Sequence, residues 1–152
     1  MSGTLPDAVL FACNYNRVRS PMAEALFKHF YGTRAFVDSC GLKPDPAEEG
    51  IDPFVAAVMD EMGLDVTRHR PKSFAQLEDD SFDVVISLTP EAQHRAVELA
   101  RDRATDIEYW PTHDPTLADG SRDAMLSAYR EVRDALATAI RQRFGAPSTF
   151  GG

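Results

Sequence analysis

The stretch Ala8-Val9-Leu10-Phe11-Ala12-Cys13-Asn14-Tyr15-Asn16-Arg17-Val18-Arg19-Ser20-Pro21-Met22-Ala23-Glu24 constrains this chain more than any other. An apolar, non-alternating run stops abruptly at a cysteine. Such a run reads as a strand buried on both faces, the pattern of a parallel sheet. A short polar loop follows and closes on an arginine and a serine. Pro21 suits a first helical turn, where its missing N–H costs nothing. The stretch therefore predicts strand, tight loop and helix N-terminus, with Cys13 at the strand's end and Arg19 where the helix begins.

The rest of the chain alternates in the same way. Met22, Leu26 and Phe30 repeat at four-residue spacing, and Gly32 fits as the helix stop. Ala35 to Asp38 reads as a second short strand. Residues 39–50 carry three carboxylates, two glycines and two prolines and read as loop. Phe54, Val58 and Met62 stripe a second helix that Gly63 ends. Residues 64–80 are polar and read as mostly irregular. Phe82 to Leu88 is a third strand; Thr89-Pro90-Glu91 starts a helix to about Arg101. Ile107 to Trp110 is a fourth strand. Met125, Tyr129, Val132, Leu136 and Ile140 mark a long final helix. Residues 145–152 read as a flexible tail.

Strands alternating with helices imply an α/β, three-layer, doubly wound fold around a central four-stranded parallel sheet, in one domain over 1–152 with its core at about 8–144. Ligands of such folds bind beyond the carboxyl ends of the strands. The Cys13 loop, the Ser39 loop and His113-Asp114-Pro115 are expected at that edge.

Charge narrows the partners. Sixteen basic against twenty-four acidic residues leave a net charge of −8, which argues against general nucleic-acid affinity. An acidic chain that binds an anion must do so locally, with oriented N–H groups and one or two arginines. No apolar run approaches membrane-spanning length, and Met1 to Asp7 lacks the features of a signal peptide. The two cysteines, Cys13 and Cys40, make no disulfide framework. A cytoplasmic chain, monomeric or weakly dimeric, without nucleic-acid or membrane partners, is the expectation.

Five residues between Cys13 and Arg19 let the backbone curl so that successive N–H groups point inward. Such a nest at a helix N-terminus binds an oxyanion. Asn14, Tyr15, Asn16, Arg17, Val18 and Ser20 would form it. Arg19 can hold two oxygens with its planar fork. The same positive potential favours a thiolate at Cys13, and Ser20 can donate a hydrogen bond to it. A thiolate beneath a bound phosphate is placed for in-line attack. Asp114, on a proline-stiffened loop, is the candidate general acid. Trp110 is a candidate pocket wall. His69 and His113 lack metal-ligand spacing, and neither metal nor cofactor is expected.

These residues resemble the low-molecular-weight protein tyrosine phosphatase and thioredoxin-type arsenate reductase superfamily, whose entry motif runs V-L-F-V-C-x-G-N-x-C-R-S-P-M-A-E-A. Ser39-Cys40-Gly41, Gly63-Leu64-Asp65 with His69-Arg70 and Lys72-Ser73, and Asp114-Pro115 extend the resemblance over roughly residues 8–144. It implies the phosphotyrosine phosphatase I-like fold, Cys13 as nucleophile, Arg19 as transition-state clamp, Asn16 and Ser20 as loop organisers and Asp114 as acid. Tyr15 departs from the pattern at the loop glycine, and Val18 at the second loop cysteine. Trp110-x3-Asp114-Pro115 and His69-Arg70-Pro71-Lys72-Ser73 look closer to the arsenate reductase branch. That branch's redox cysteines after the third strand are absent from Leu88-Thr89-Pro90-Glu91-Ala92.

Three functions are compatible with these residues. The first is a metal-independent hydrolase cleaving aryl phosphomonoesters, on a phosphorylated protein or a small aryl phosphate, through a phosphocysteine. The second is an arsenate reductase using an external thiol or Cys40. The third is a non-catalytic module binding phosphate-like oxyanions. Cys40 itself reads either as redox partner of Cys13 or as a small apolar filler.

Overall fold

The computed structural model describes residues 5–79 and 81–146. Its elements alternate as expected: β1 (Ala8–Cys13), α1 (Arg19–Tyr31), β2 (Phe36–Gly41), α2 (Pro53–Asp60), β3 (Val84–Ser87), α3 (Pro90–Leu99), β4 (Asp106–Tyr109) and α4 (Arg122–Phe144). The four strands form one parallel sheet in the order β2-β1-β3-β4. The chain moves outward from β1 to β2, then crosses back to β3. The gap between β1 and β3 is therefore the switch point where α/β folds bind ligands.

Every residue of β1 is buried, as the unbroken apolar run requires. Its side chains alternate between two cores. Val9, Phe11 and Cys13 face the layer of α1, α2 and α4, among Leu26, Phe27, Val55, Leu136 and Ile140. Ala8, Leu10 and Ala12 face α3, among Phe74, Phe82, Ala92 and Ala96. Helices thus cover both faces in three layers. Gly32 closes α1 at φ 60°, a left-handed conformation that glycine adopts freely. Thr89 and Asp52 cap α3 and α2 with side-chain oxygens on backbone N–H groups.

Two boundaries differ from the sequence reading in ways that matter. β2 does not stop at Asp38: Ser39, Cys40 and Gly41 continue the ladder beside Phe11, Ala12 and Cys13. Their small polar pattern looks like loop, but tertiary partners bury all three. Residues 64–79 are not merely irregular. A short 3-10 turn at Phe74–Gln76 carries a capping box from Ser73 and Gln76, and Ser73 bridges to Gly41. The expected tail mostly falls on residues 147–152, outside the described residues. No described helix is long and apolar enough to cross a membrane.

Candidate active site

The loop from β1 to α1 is built around one buried amide. Asn16 is fully buried and sits at φ 57°, among the described residues the only non-glycine in the left-handed region. Its Nδ2 donates to Ser20 Oγ at 2.8 Å and to Ser39 Oγ at 3.0 Å. Its Oδ1 accepts from Lys72 N at 3.0 Å, and its carbonyl meets His69 Nε2 at 2.8 Å. Since a carbonyl only accepts, His69 carries its proton on Nε2. Burial holds the His69 pKa below the ordinary histidine value, which keeps the ring neutral. One side chain thereby joins the loop, α1, β2 and the 64–79 segment.

Ser20 turns that frame toward sulfur. Its Oγ lies 2.9 Å from Cys13 Sγ, and its N–H points at the same sulfur at 3.4 Å. Asn16 occupies an acceptor site on the hydroxyl. The hydroxyl proton is left for the sulfur or for the Cys40 carbonyl, 3.3 Å away. Cys13 is thus held at the start of α1 by the Ser20 N–H and beside its hydroxyl, a setting suited to a thiolate.

The loop is pressed against β2. Leu42 N donates to Cys13 O and Lys43 N to Asn14 O, each at 2.9 Å, while Gly41 N donates to Lys72 O at 2.8 Å. A Cβ on Gly41 would stand 2.8 Å from the backbone N of Asn16 and 2.9 Å from Asn14 O. Only glycine allows this approach.

A cavity of about 260 Å³ opens above Cys13. Val18, Arg19, Tyr15, Arg17, Asp114 and Thr116 line it with Cys13. Arg19 is almost buried, with 11% of its side chain exposed. Its Nη1 donates to Thr112 O at 3.0 Å, and Nη2 lies 3.9 Å from Asp114 Oδ2. Asp114 Oδ1 accepts from Thr116 N at 3.0 Å and Thr116 Oγ1 at 2.6 Å. Oδ2 is the carboxyl oxygen turned toward Arg19. Thiol, guanidinium and carboxyl therefore come together although their residues span a hundred positions of chain.

The structure separates the other expected loop residues. Tyr15 takes a negative φ and points outward, half exposed, so the side chain in place of glycine walls the cavity without straining the loop. Arg17 Nε donates to Gly50 O at 2.9 Å and its guanidinium pairs with Glu48 at 3.4 Å. The Asn14 side chain leaves the cavity altogether. It accepts from Thr89 Oγ1 at 2.7 Å and reaches Glu91 at 3.5 Å. Only its backbone can serve an anion.

Two expectations are corrected. Trp110 does not wall this cavity. It packs edge-on against Phe11 and tilted against Phe144 at the margin of the core, and its Nε1 donates to Glu108 Oε1 at 3.1 Å. The strand period decides this: β4 ends one residue earlier, and the ring falls on the core side. Cys40 is no partner for Cys13. It pairs with Ala12, one position short of Cys13, so its side chain enters the α3 core while Cys13 enters the α1 core. The sheet lies between the two thiols, and both are free. Burial, helped by the nearby Cys13, pushes the Cys40 thiol strongly up and makes it a poor nucleophile. His113 is exposed on the loop before Asp114.

Several supporting contacts are not legible in the sequence: Ser39, Lys72 and His69, which enter there only at the site edge or within the resemblance, bond to Asn16, Glu24 accepts from Ser39 Oγ at 2.6 Å, and Thr112 accepts from Arg19. Gly41 was seen only as part of a resemblance, not as a contact.

The fold agrees with the comparisons to known proteins. The chain belongs to the low molecular weight phosphotyrosine protein phosphatase family, whose model matches residues 8–146. The family is one of cysteine-based phosphatases and arsenate reductases. A glutaredoxin arsenate reductase of Synechocystis is 32% identical over 127 residues, spanning 82% of this chain and 86% of that protein. A solved arsenate reductase in its phosphate binding state superposes with TM-score 0.73 at 27% identity, over 91% of this chain and 96% of that one. A low molecular weight protein tyrosine phosphatase from T. tengcongensis gives 0.72 at 25% identity, over 89% and 95%.

Proposed function

We propose that this chain is a metal-independent phosphomonoesterase that cleaves aryl phosphates, phosphotyrosine among them, through a phosphocysteine. The carrying observation is the convergence of Cys13, Arg19 and Asp114 on one cavity, with Ser20 Oγ 2.9 Å from the sulfur. The Cys13 thiolate attacks phosphorus in line while Arg19 and the loop N–H groups hold the equatorial oxygens. Asp114 Oδ2 gives its proton to the departing oxygen. The resulting carboxylate takes a proton from the water that hydrolyses the phosphocysteine, and Ser20 stabilises the thiolate as it leaves. Aryl phosphates suit this route because their leaving groups are good.

Arsenate reduction is the second reading, favoured by the names of the relatives and by the phosphate-binding neighbour. Cys13 would attack arsenate as it attacks phosphate, but release of product needs a further thiol. Cys40 lies across the sheet and Val18 replaces a loop cysteine, so this thiol must come from outside the chain.

Hydrolysis of a nitrophenyl phosphate separates the readings. Cys13→Ser should abolish it, and Asp114→Asn should lower kcat by roughly 10²–10⁴-fold. Wild-type protein no more active than Cys13→Ser across mildly acidic to neutral pH would refute the hydrolase. Arsenate-dependent consumption of a small external thiol would then support the reductase.

A further inference from the structure

The catalytic cavity does not end at its rim. Asp45 and Glu48 line it on one side and line a second, larger groove of about 740 Å³ on the other. Beyond that ridge the groove runs between Pro46 and Glu49 on one bank and Arg70 and Pro71 on the other. A free phosphate or arsenate fills only the cradle above Cys13 and gains nothing from this trough. A longer substrate anchored by its phosphate crosses the ridge.

The ridge is acidic and only partly compensated. Glu48 is shared with Arg17 at 3.4 Å. Asp45 Oδ1 accepts only from Ala47 N, and among the described residues neither Asp45 nor Glu49 meets a cationic side chain. Arg70 is the one basic side chain lining the groove, and its guanidinium donates to His69 O. Carboxylates beside a dianion cradle repel a simple phosphate ester. A substrate that carries its own positive charge next to the phosphorylated group converts that repulsion into attraction.

We infer that the site takes a phosphorylated peptide segment with a lysine or arginine adjacent to the phosphorylated residue, and that Asp45 and Glu49, with Glu48 behind them, read that basic residue. This substrate class rests on the hydrolase reading above. It adds the charge of the substrate's flank, which the nucleophile loop does not specify.

The test compares initial rates on phosphotyrosine peptides of equal length flanked by arginine, alanine or glutamate. Wild-type kcat/KM should favour the arginine peptide over the alanine peptide by about tenfold at low ionic strength, with the glutamate peptide slowest. Most of that preference should vanish in about 0.5 M KCl, where screening reaches the ridge. The Asp45→Asn/Glu49→Gln double variant should narrow the arginine-to-glutamate ratio at low salt. Equal rates on the three peptides, or a preference untouched by both salt and the double variant, overturn the inference. A wild type that hydrolyses nitrophenyl phosphate but shows no charge preference loses this inference and keeps the hydrolase. A wild type that hydrolyses neither peptides nor nitrophenyl phosphate loses both.

Discussion

Adding one methyl group at residue 41 should damage the nucleophile loop more than any change of similar size elsewhere. An alanine Cβ there would stand 2.8 Å from Asn16 N, 2.8 Å from the Tyr15 carbonyl carbon and 2.9 Å from Asn14 O. Ordinary contact begins at 3.4 Å, so the shortfall is about 0.6 Å. All three obstacles are backbone, and none can rotate away. Retreat is blocked on both sides, because Gly41 N is bonded to Lys72 O and Leu42 and Lys43 are bonded to the loop itself. Gly41 has no positive φ, so the effect is purely steric. Overpacking of this kind costs about 1–3 kcal/mol, which lowers a urea midpoint by roughly 1 M. The displaced backbone belongs to the loop that the proposed mechanism uses to hold the oxyanion. A shift of half an ångström or more there should reduce kcat/KM on nitrophenyl phosphate by about ten- to a hundredfold and weaken inorganic phosphate binding in calorimetry. Gly41→Ala with wild-type phosphate affinity and an unchanged midpoint would refute the reasoning.

Two further outcomes follow from the buried amide and its neighbour. Asn16→Gly should be more stable to urea than Asn16→Ala, reversing the usual order, because alanine at φ 57° costs roughly 1–2 kcal/mol more while both lose the same side-chain hydrogen bonds; an alanine variant as stable as the glycine variant would contradict it. For His69, burial lowers the folded-state pKa below the ordinary 6.5, so the unfolded chain binds the proton more readily. Its contribution to stability is therefore full above about pH 6.5 and is lost as pH falls through the lower, folded value. His69→Gln keeps an N–H for Asn16 O but cannot titrate, and should flatten the dependence of unfolding free energy on pH below about 6.5; matching slopes for variant and wild type would show that His69 is not responsible.

The sequence reading succeeded where a signal is contained within a few neighbouring residues. β1 ends at Cys13 because its apolar run ends there, and α1 follows because a tight loop, a serine and Pro21 follow. The spacing of Cys13 and Arg19 was enough to expect an anion cradle. β2 was cut short because Ser39, Cys40 and Gly41 have no strand-like composition. Their burial comes from Asn16, Glu24 and the loop backbone, which a linear pattern does not contain. The 64–80 segment was passed over for the same reason: its polar residues look solvated until His69 and Lys72 are seen bonded to Asn16.

Trp110 and Cys40 show the limit most clearly. The sequence argument placed Trp110 at the end of a strand and Cys40 on a loop, both near the site's edge. Whether a side chain at that point faces the cavity, the core or the far side of the sheet depends on a register of one residue. That register is set by β1 lying between β2 and β3, not by any residue of β2 or β4 alone. The nucleophile loop and the sheet were therefore determined locally, by sterics, hydrophobic runs and helix-start chemistry. The meeting of Arg19 with Asp114, the exclusion of Cys40 and the acidic ridge beyond Glu48 were decided only by packing, because each depends on contacts between residues far apart in the chain.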